Sequence, residues 1–318
     1  MEVLGLVGRL VGVEEQILDK PVVVETSKVV PKVVQEPVVQ IIEKDKTKGM
    51  FVTVGRGGII LTSSNGISWT ERTSGTSEYL RGVTYGNGMF VTVGSSGTIL
   101  TSFNGISWTQ RKYGISQSLN GITYGNGFFV TVGDGGTILT STNGISWTQR
   151  NSGTSIWLTN VTYGNGMFVT VGETILTSSD GISWTQRKGK PRKLYGVIYE
   201  NGIFVTVGEW KEILISSDGT NWTQRTFGLS NRLNGVTYGN GLFVTVGGIG
   251  TILTSSDGTS WTQKTTGTSK ELLRVTYGNG LFVTVGQGGT ILTSSNGTSW
   301  TERTSGTTEK LWGITYSQ

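Results

Sequence analysis

The 318-residue chain contains no cysteine and no histidine, and it has only four prolines. Without cysteine it can form no disulfide, thiol nucleophile or thiolate metal site. Without histidine it lacks the most common general base and metal ligand. We therefore expect no metal, no cofactor and no catalytic residues. Fifty glycines and ten tryptophans are present instead, which indicates many tight turns around large buried rings.

Long apolar runs are also missing. No run of about 18 apolar residues occurs, so we expect no membrane span. The N-terminus does not resemble a signal peptide, because Glu2 stands where positive charge belongs and Arg9 interrupts the apolar stretch. The net charge is +5. The one basic loop, 188–193, is flanked by Glu173 and Glu209 in neighbouring loops, so we expect no nucleic-acid partner.

One phrase, GxFVTVGxxGTILTSxxGxxWTxR, recurs seven times along the chain. A period near 40 residues with short strands and frequent glycine is typical of a β-propeller blade. The marker tryptophans are Trp69, Trp108, Trp147, Trp184, Trp222, Trp261 and Trp300.

Each repeat predicts four strands, because β-branched and aromatic residues alternate between glycine-containing turns. Gly-Asn-Gly turns join strand A to strand B, and Asn/Asp-Gly turns join C to D; both accept positive φ. In the third repeat, the strands A to D are predicted at Leu119–Tyr124, Phe128–Gly133, Thr137–Ser141 and Ser146–Arg150.

The two ends of the repeat array predict how the ring closes. The first repeat begins at a strand B, Met50–Gly55, and the chain ends on an unpaired strand A, Leu311–Tyr316. Pairing these two segments would hide the sheet edges that an open array exposes. We therefore predict an all-β fold, a seven-bladed β-propeller over 49–318 closed by its C-terminal strand. The alternative is an open solenoid, but the atypical capping repeats of solenoids are not visible.

The predicted C–D turns read Ser63-Ser64-Asn65-Gly66-Ile67-Ser68-Trp69 and similar. This pattern resembles the Asp-box of sialidase-like (BNR) propellers, although glycine follows the Asn or Asp directly. The resemblance implies a propeller in which the short side chain accepts backbone N–H groups across the turn and the indole packs between blades. The repeat style also looks like that of repeat proteins from bacteriophages and bacterial surfaces.

A sialidase would need an arginine cluster, a nucleophilic tyrosine with an acidic partner and an acid/base aspartate, all specific to single blades. Most arginines and tyrosines here recur once per blade instead, so the blade itself explains them. We therefore predict that the protein is not an enzyme. The recurring tyrosines are Tyr85, Tyr124, Tyr163, Tyr199, Tyr238, Tyr277 and Tyr316.

The repeats differ mainly in their B–C and D–A loops, which lie on one face of a propeller because strands alternate in direction. All three tryptophans outside the repeated turns fall on this face. Exposed aromatic side chains suit sugar rings and protein hot spots, so we predict a binding face; the alternative is sequence drift in solvent loops. The predicted ligand-binding residues are Trp157, Tyr195, Trp210, Trp312, Arg81 and Arg274.

Residues 1–48 belong to no repeat. Val3, Leu6 and Leu10 begin a heptad-like spacing, but glycines between them oppose a helix. Valine and proline dominate from Pro21 to Ile42, which favours extended chain. A disordered linker is one interpretation; an arm that buries its valines against other structural proteins or a sister subunit is the other.

These observations predict a non-enzymatic structural and attachment protein. The arm would dock into a larger assembly, most plausibly a phage virion, and the propeller would face outward to bind a surface glycan or protein. Two alternatives stay open: a free multivalent lectin, extracellular or at the cell surface, and a glycoside hydrolase of sialidase type.

Overall fold

The computed structural model describes residues 49–111, 113–187, 193–225 and 231–317. They form seven antiparallel sheets of four strands each, which confirms the predicted seven-bladed β-propeller. The predicted arm at 1–48 and most of the basic loop at 188–193 lie outside the described residues.

The blades are numbered in chain order from the first described strand. Blade 1 consists of β28 (Leu311–Tyr316), β1 (Phe51–Gly55), β2 (Ile60–Ser63) and β3 (Thr70–Arg72). Blade 2 consists of β4 (Leu80–Gly86), β5 (Met89–Gly94), β6 (Ile99–Ser102) and β7 (Thr109–Arg111). Blade 3 consists of β8 (Leu119–Gly125), β9 (Phe128–Gly133), β10 (Ile138–Ser141) and β11 (Thr148–Arg150). Blade 4 consists of β12 (Leu158–Gly164), β13 (Met167–Gly172), β14 (Ile175–Ser178) and β15 (Thr185–Gln186).

Blade 5 consists of β16 (Leu194–Glu200), β17 (Ile203–Gly208), β18 (Ile213–Ser216) and β19 (Thr223–Arg225). Blade 6 consists of β20 (Leu233–Gly239), β21 (Leu242–Gly247), β22 (Ile252–Ser255) and β23 (Thr262–Lys264). Blade 7 consists of β24 (Leu272–Gly278), β25 (Leu281–Gly286), β26 (Ile291–Ser294) and β27 (Thr301–Arg303). Five B–C loops contain one 3₁₀ turn each: Arg56–Gly58, Ser95–Gly97, Asp134–Gly136, Glu209–Lys211 and Gln287–Gly289.

The ring closes as predicted, through the pairing of β28 with β1. Phe51 lies opposite Tyr316 and Thr53 opposite Ile314 in an antiparallel register. Thr53 Oγ1 also donates a hydrogen bond to the Gly313 carbonyl at 2.8 Å. Blade 1 therefore joins the two ends of the repeat array in one sheet, and no inner strand is left unpaired at the closure.

The hydrophobic core lies between neighbouring blades rather than within one. Between blades 2 and 3, for example, Met89 and Val91 pack with Leu119 and Phe129, all of them buried. The same arrangement repeats around the ring. The inner strands β4, β8, β12, β16, β20, β24 and β28 each contact the next one, so they enclose the central channel.

In every C–D turn the Asn or Asp side chain accepts backbone N–H groups. Asn65 Oδ1 accepts the backbone N–H groups of Ile67 and Ser68 at 2.9 and 3.0 Å. Trp69 Nε1 donates to the Gly66 carbonyl at 3.1 Å. The indoles pack against the interblade cores, but only Trp147 and Trp261 are buried. The other five are half-buried.

Candidate binding face

A β-bulge follows the first leucine of every inner strand. In blade 2, Leu80 pairs with Gly94 and Gly82 with Val93, so the intervening Arg81 has no cross-strand partner. The other six inner strands show the same register shift. Because a bulge re-aims the side chain of the extra residue, these seven residues form a ring at one mouth of the channel. The bulge ring consists of Arg81, Asn120, Thr159, Tyr195, Asn234, Leu273 and Trp312.

Polar members of the bulge ring connect one blade to the next. Arg81 Nη1 donates to Asn120 Oδ1 at 3.0 Å, and Asn120 Nδ2 donates to the Leu158 carbonyl at 2.9 Å. Thr159 Oγ1 donates to the Leu194 carbonyl at 2.6 Å. These bonds hold polar side chains of neighbouring blades in fixed positions at the channel mouth.

Trp312 is the centre of one group of contacts at the mouth, in blades 1 and 2. Its ring lies 5.2 Å from that of Tyr79. The Arg81 guanidinium and the Lys310 ammonium lie 5.8 and 5.9 Å from the Trp312 ring centroid, within cation–π range. Arg81 Nε is buried and has no acceptor among the described residues. We call Trp312, Tyr79, Arg81 and Lys310 the Trp312 cluster.

Glu271 links the Trp312 cluster to blade 6. Its carboxylate lies 3.2 Å from Lys310 Nζ and forms a salt bridge with Arg232, and it accepts a hydrogen bond from Asn234 Nδ2 at 3.1 Å. Burial by itself would raise the pKa of Glu271, but Lys310 and Arg232 outweigh it and lower that pKa. Glu271 is therefore an anion that holds two cations in place at the mouth.

A second group of contacts lies across the ring, in blades 4 and 5. Trp157 is half exposed, and the Lys193 ammonium lies 4.6 Å from its ring centroid. The Tyr195 hydroxyl donates to Glu209 Oε1 at 2.7 Å. Burial, together with this carboxylate, raises the pKa of Tyr195 to about 12. Trp210 follows Glu209 at the tip of the B–C loop and is 66% exposed.

Arg274 lies within the channel wall rather than in a loop. It takes a position on β24 that glycine occupies in five other inner strands, beside its bulge residue. Its Nη1 donates to the carbonyls of Asn234 and Leu273 at 2.6 and 2.9 Å. Burial lowers the pKa of Arg274 to about 10. Two backbone carbonyls thus hold the Arg274 guanidinium in the channel wall.

All six predicted residues lie on the face that carries the B–C and D–A loops. Among them, Arg81 and Trp312 are in contact. A second ring is formed by the residue that precedes each inner-strand leucine, and sequence reasoning singled out only Trp157 of it. The repeat alignment contains the signal for it, since this position varies as strongly as the bulge position. The second ring consists of Tyr79, Ser118, Trp157, Lys193, Arg232, Glu271 and Lys310.

In the described part of the chain, no acidic cluster arranged to hold a metal ion occurs. No helix there has the length and apolar character needed to cross a membrane.

No protein-family model and no curated protein matches this sequence. Solved structures match over most of the chain at low identity. YCF48 bound to D1 peptide is 16% identical with a TM-score of 0.61, covering 79% of this chain and 86% of that one. Virginiamycin B lyase from Staphylococcus aureus is 13% identical with a TM-score of 0.63, covering 86% and 96%. The nidogen/laminin complex is 13% identical with a TM-score of 0.54, covering 73% and 99%. At these identities the likeness shows the propeller fold alone.

Proposed function

We propose that this protein is a non-enzymatic attachment protein that binds its target with the channel-mouth face. The observation that carries the proposal is the concentration of blade-specific side chains on one face of an otherwise repetitive ring. There the bulge ring and the second ring place aromatic and charged groups together, as in the Trp312 cluster. Aromatic anchors surrounded by fixed polar groups are typical of binding hot spots.

The nature of the target follows from the same chemistry. Indoles beside cations suit either a polypeptide or an acidic sugar. The similar propellers include one solved with a peptide and one solved in a complex with laminin, which supports a polypeptide. We therefore propose a surface protein as the target, with a glycan as the alternative expected of a lectin.

The arm at 1–48 is proposed to anchor the propeller in a larger assembly, in keeping with a phage virion. The closed ring supports this division of roles, because β28 and β1 complete blade 1 without any residue before Gly49. A free lectin would need no such anchor. Analytical ultracentrifugation separates the two: we expect the full chain to assemble and a 49–318 fragment to stay monomeric, whereas equal sizes would favour the free lectin.

We also propose that the C–D turns are a variant of the Asp-box. The supporting observation is the shared bonding of Asn and Asp turns, since Asp218 Oδ1 accepts the N–H groups of Thr220 and Asn221 at 2.8 Å each. In this proposal the box stabilises each blade and contributes nothing to target binding.

A specific observation favours a second candidate, a glycoside hydrolase of sialidase type. Tyr195 is not one of the recurring tyrosines, and it pairs with a carboxylate, Glu209. Against this candidate, the raised pKa of Tyr195 disfavours the phenolate that would attack a sugar. Hydrolysis of a fluorogenic sialoside, lost in Tyr195→Phe, would replace our proposal with this one.

The attachment proposal is tested with two probes, a glycan array and a displayed random-peptide library, each presented to the full-length chain. We expect saturable binding that Trp312→Ala and Arg81→Ala weaken at least tenfold. Phe103→Ala is the matched control, because Phe103 is 67% exposed on the opposite face. If neither probe binds, or if the control weakens binding as much as Trp312→Ala, the proposal fails.

A further inference from the structure

The residues that surround the channel mouth carry an excess of positive charge. Three positions at the start of each inner strand contribute to it: the second ring, the bulge ring, and the next position, which holds glycine in five blades. These 21 residues include five cations and one carboxylate, that of Glu271. Blades 3 and 4 contribute no cation, so the charge is concentrated on one part of the ring. The five cations lie one per blade in consecutive blades, in the order Lys193, Arg232, Arg274, Lys310 and Arg81.

Glu271 connects three of these cations across blades 6, 7 and 1. Its carboxylate lies 3.2 Å from Lys310 Nζ and forms a salt bridge with Arg232. It also accepts a hydrogen bond from Asn234 Nδ2 at 3.1 Å. The carbonyl of Asn234 in turn accepts a hydrogen bond from Arg274 Nη1 at 2.6 Å. One carboxylate is thus shared by two cations, and the third cation reaches it only through Asn234.

A fourth cation joins this group through Trp312. The Arg81 guanidinium and the Lys310 ammonium lie 5.8 and 5.9 Å from the Trp312 ring centroid. The strand that carries Trp312, β28, contacts both β4 and β24. These contacts bring together four cations from four neighbouring blades. We call them the cationic arc, which consists of Arg81, Arg232, Arg274 and Lys310.

Two members of the cationic arc have no anionic partner of their own. In the described part of the chain, no carboxylate lies within salt-bridge distance of Arg274 or Arg81. Burial lowers the pKa of Arg274 to about 10, so its guanidinium stays charged at neutral pH. Arg81 Nε is buried without an acceptor among the described residues. Because charges and donors withdrawn from water are usually paired, both residues are suited to an anionic acceptor from another molecule.

We propose that the cationic arc binds the carboxylates of an acidic segment in a polypeptide partner. This inference rests on the proposed attachment function and deepens it by naming the chemistry of the target. Four cations from four blades are suited to several carboxylates, which the aspartate and glutamate side chains of one peptide supply. A terminal acidic sugar brings a single carboxylate, so it would leave most of the cationic arc unpaired.

The surroundings of the cationic arc disfavour a long polyanion such as nucleic acid. Glu78 and Glu309 lie in D–A loops, each one residue before a member of the second ring. In blade 3, the Asp134 carboxylate accepts a hydrogen bond from the bulge-ring residue Asn120 at 2.8 Å. A phosphate backbone that runs past the mouth would meet these negative charges. A short acidic segment confined to the cationic arc avoids them.

The test uses the full-length chain and a displayed random-peptide library. We expect the enriched peptides to contain clustered aspartate or glutamate. A synthetic copy of a selected peptide in which Asn and Gln replace Asp and Glu should bind at least about tenfold more weakly. The affinity of the original peptide should also fall as the salt concentration rises, because the attraction between charges is screened.

Two variants remove single members of the cationic arc. Arg274→Gly introduces the residue that five other blades carry at this position, so we expect an unchanged melting temperature and about tenfold weaker binding of the selected peptide. Arg81→Gln keeps an amide donor but removes the charge, and it should weaken binding to a similar extent. Lys264→Gln is the matched control, because it removes one cation from strand D of blade 6 and should leave the affinity unchanged.

The outcomes separate this inference from the attachment proposal. Equal binding of the amide peptide, or unchanged affinity in both Arg274→Gly and Arg81→Gln, overturns the role of the cationic arc. Enriched peptides without acidic residues, binding to the glycan array alone, or tighter binding of a single-stranded DNA oligonucleotide than of the selected peptide also overturns it. Each of these results leaves the attachment proposal standing. If neither the peptide library nor the glycan array binds, both proposals fail.

Discussion

Ile215 of strand C lies where a threonine in the other blades can accept a hydrogen bond from strand D, so it offers no acceptor to Arg225. The Nε–H of Arg225 is buried and has no acceptor in the described part of the chain. The equivalent threonine is present in the six other blades, and in the five of them that carry an arginine on strand D it accepts the arginine Nε–H. Arg111 Nε, for example, donates to Thr101 Oγ1 at 2.9 Å. Each of these arginines thus ties strand D, the outermost strand, to strand C.

This relationship predicts the effect of Thr101→Val. The substitution keeps the shape of the side chain and removes the acceptor, so Arg111 is left as Arg225 is. A buried donor that loses its partner costs about 1–3 kcal/mol, and we expect that loss in the free energy of unfolding measured in urea. Thr254→Val is the matched control, because strand D of blade 6 carries Lys264 there, and it should cost clearly less. Equal losses would contradict the role of the arginine bond.

A close approach of two inner-strand backbones predicts a difference between two glycines. A Cβ on Gly121 would lie 2.7 Å from Asn160 Cα, whereas a Cβ on Gly82 would meet nothing closer than 3.3 Å. Neither glycine has a positive φ, so backbone strain does not contribute to the difference between the two alanine variants. Gly121→Ala should cost about 1–3 kcal/mol by overpacking, and Gly82→Ala should cost less. Thermal unfolding of both variants measures this.

The sequence predicts the fold closely because the same pattern of strands and turns is repeated in every blade. The predicted bounds match at Phe128–Gly133 and Leu311–Tyr316. Strand D is shorter than predicted, beginning at Thr148 rather than Ser146, because the C–D turn holds the residues up to Trp147. Alternation and turn signals thus locate strands to within about two residues, and side-chain bonding in the turns sets the ends.

The candidate face is less predictable from sequence. The variable position after each inner-strand leucine predicts the ring that contains Arg81 and Trp312. The residue types at this position do not predict the β-bulge that the structure shows there. The contact between these two side chains depends on how adjacent blades face each other. The left-handed backbone conformation of Ile249 likewise cannot be predicted from its residue type. Periodicity therefore identifies the face, and the packing of blades decides which side chains meet on it.

The three aspartate turns predict a pH dependence of stability. Backbone N–H groups of Ser183 and Ile182 lower the pKa of Asp180 to about 2, and similar bonds lower the pKa of Asp218 and Asp257. A folded pKa below the unfolded value near 3.9 stabilises the protein above pH 4, and the stabilisation is lost as the pH falls toward 2.

Replacing all three aspartates by asparagine should flatten this dependence. The fold should persist, because Asn65 already accepts the same pair of N–H groups in blade 1. We expect the unfolding free energy of the triple variant to fall less between pH 4 and pH 2 than that of the parent chain. A parallel decline in both proteins would show that these carboxylates do not control acid stability.

Tyr195 predicts a second pH dependence, at the alkaline end. Its pKa is raised from about 10 to about 12 by burial and by Glu209. A raised folded pKa means that the neutral phenol stabilises the fold below pH 10 and that this contribution disappears as the pH rises toward 12. The difference in ultraviolet absorbance titration between the parent and Tyr195→Phe should show a phenol that ionises near 12. Glu209→Gln should lower that midpoint, and an unchanged midpoint would remove the carboxylate from the explanation.

The closure of blade 1 predicts the consequence of losing the last strand. Deleting residues 311–318 removes the partner of β1 and uncovers Phe51, which is fully buried against Tyr316 at a ring distance of 4.6 Å. The exposed edge of β1 would then be free to pair with other chains. We expect the truncated protein to aggregate or to lose its cooperative melting transition, as followed by circular dichroism and light scattering. Ser317→Ala is the control, since it keeps the strand and removes only the two bonds of the hydroxyl, which accepts from Met50 N–H at 2.8 Å and donates to the Met50 carbonyl at 3.4 Å. A truncated chain that melts like the control would mean that the ring is held by its interblade cores rather than by the β1–β28 pairing.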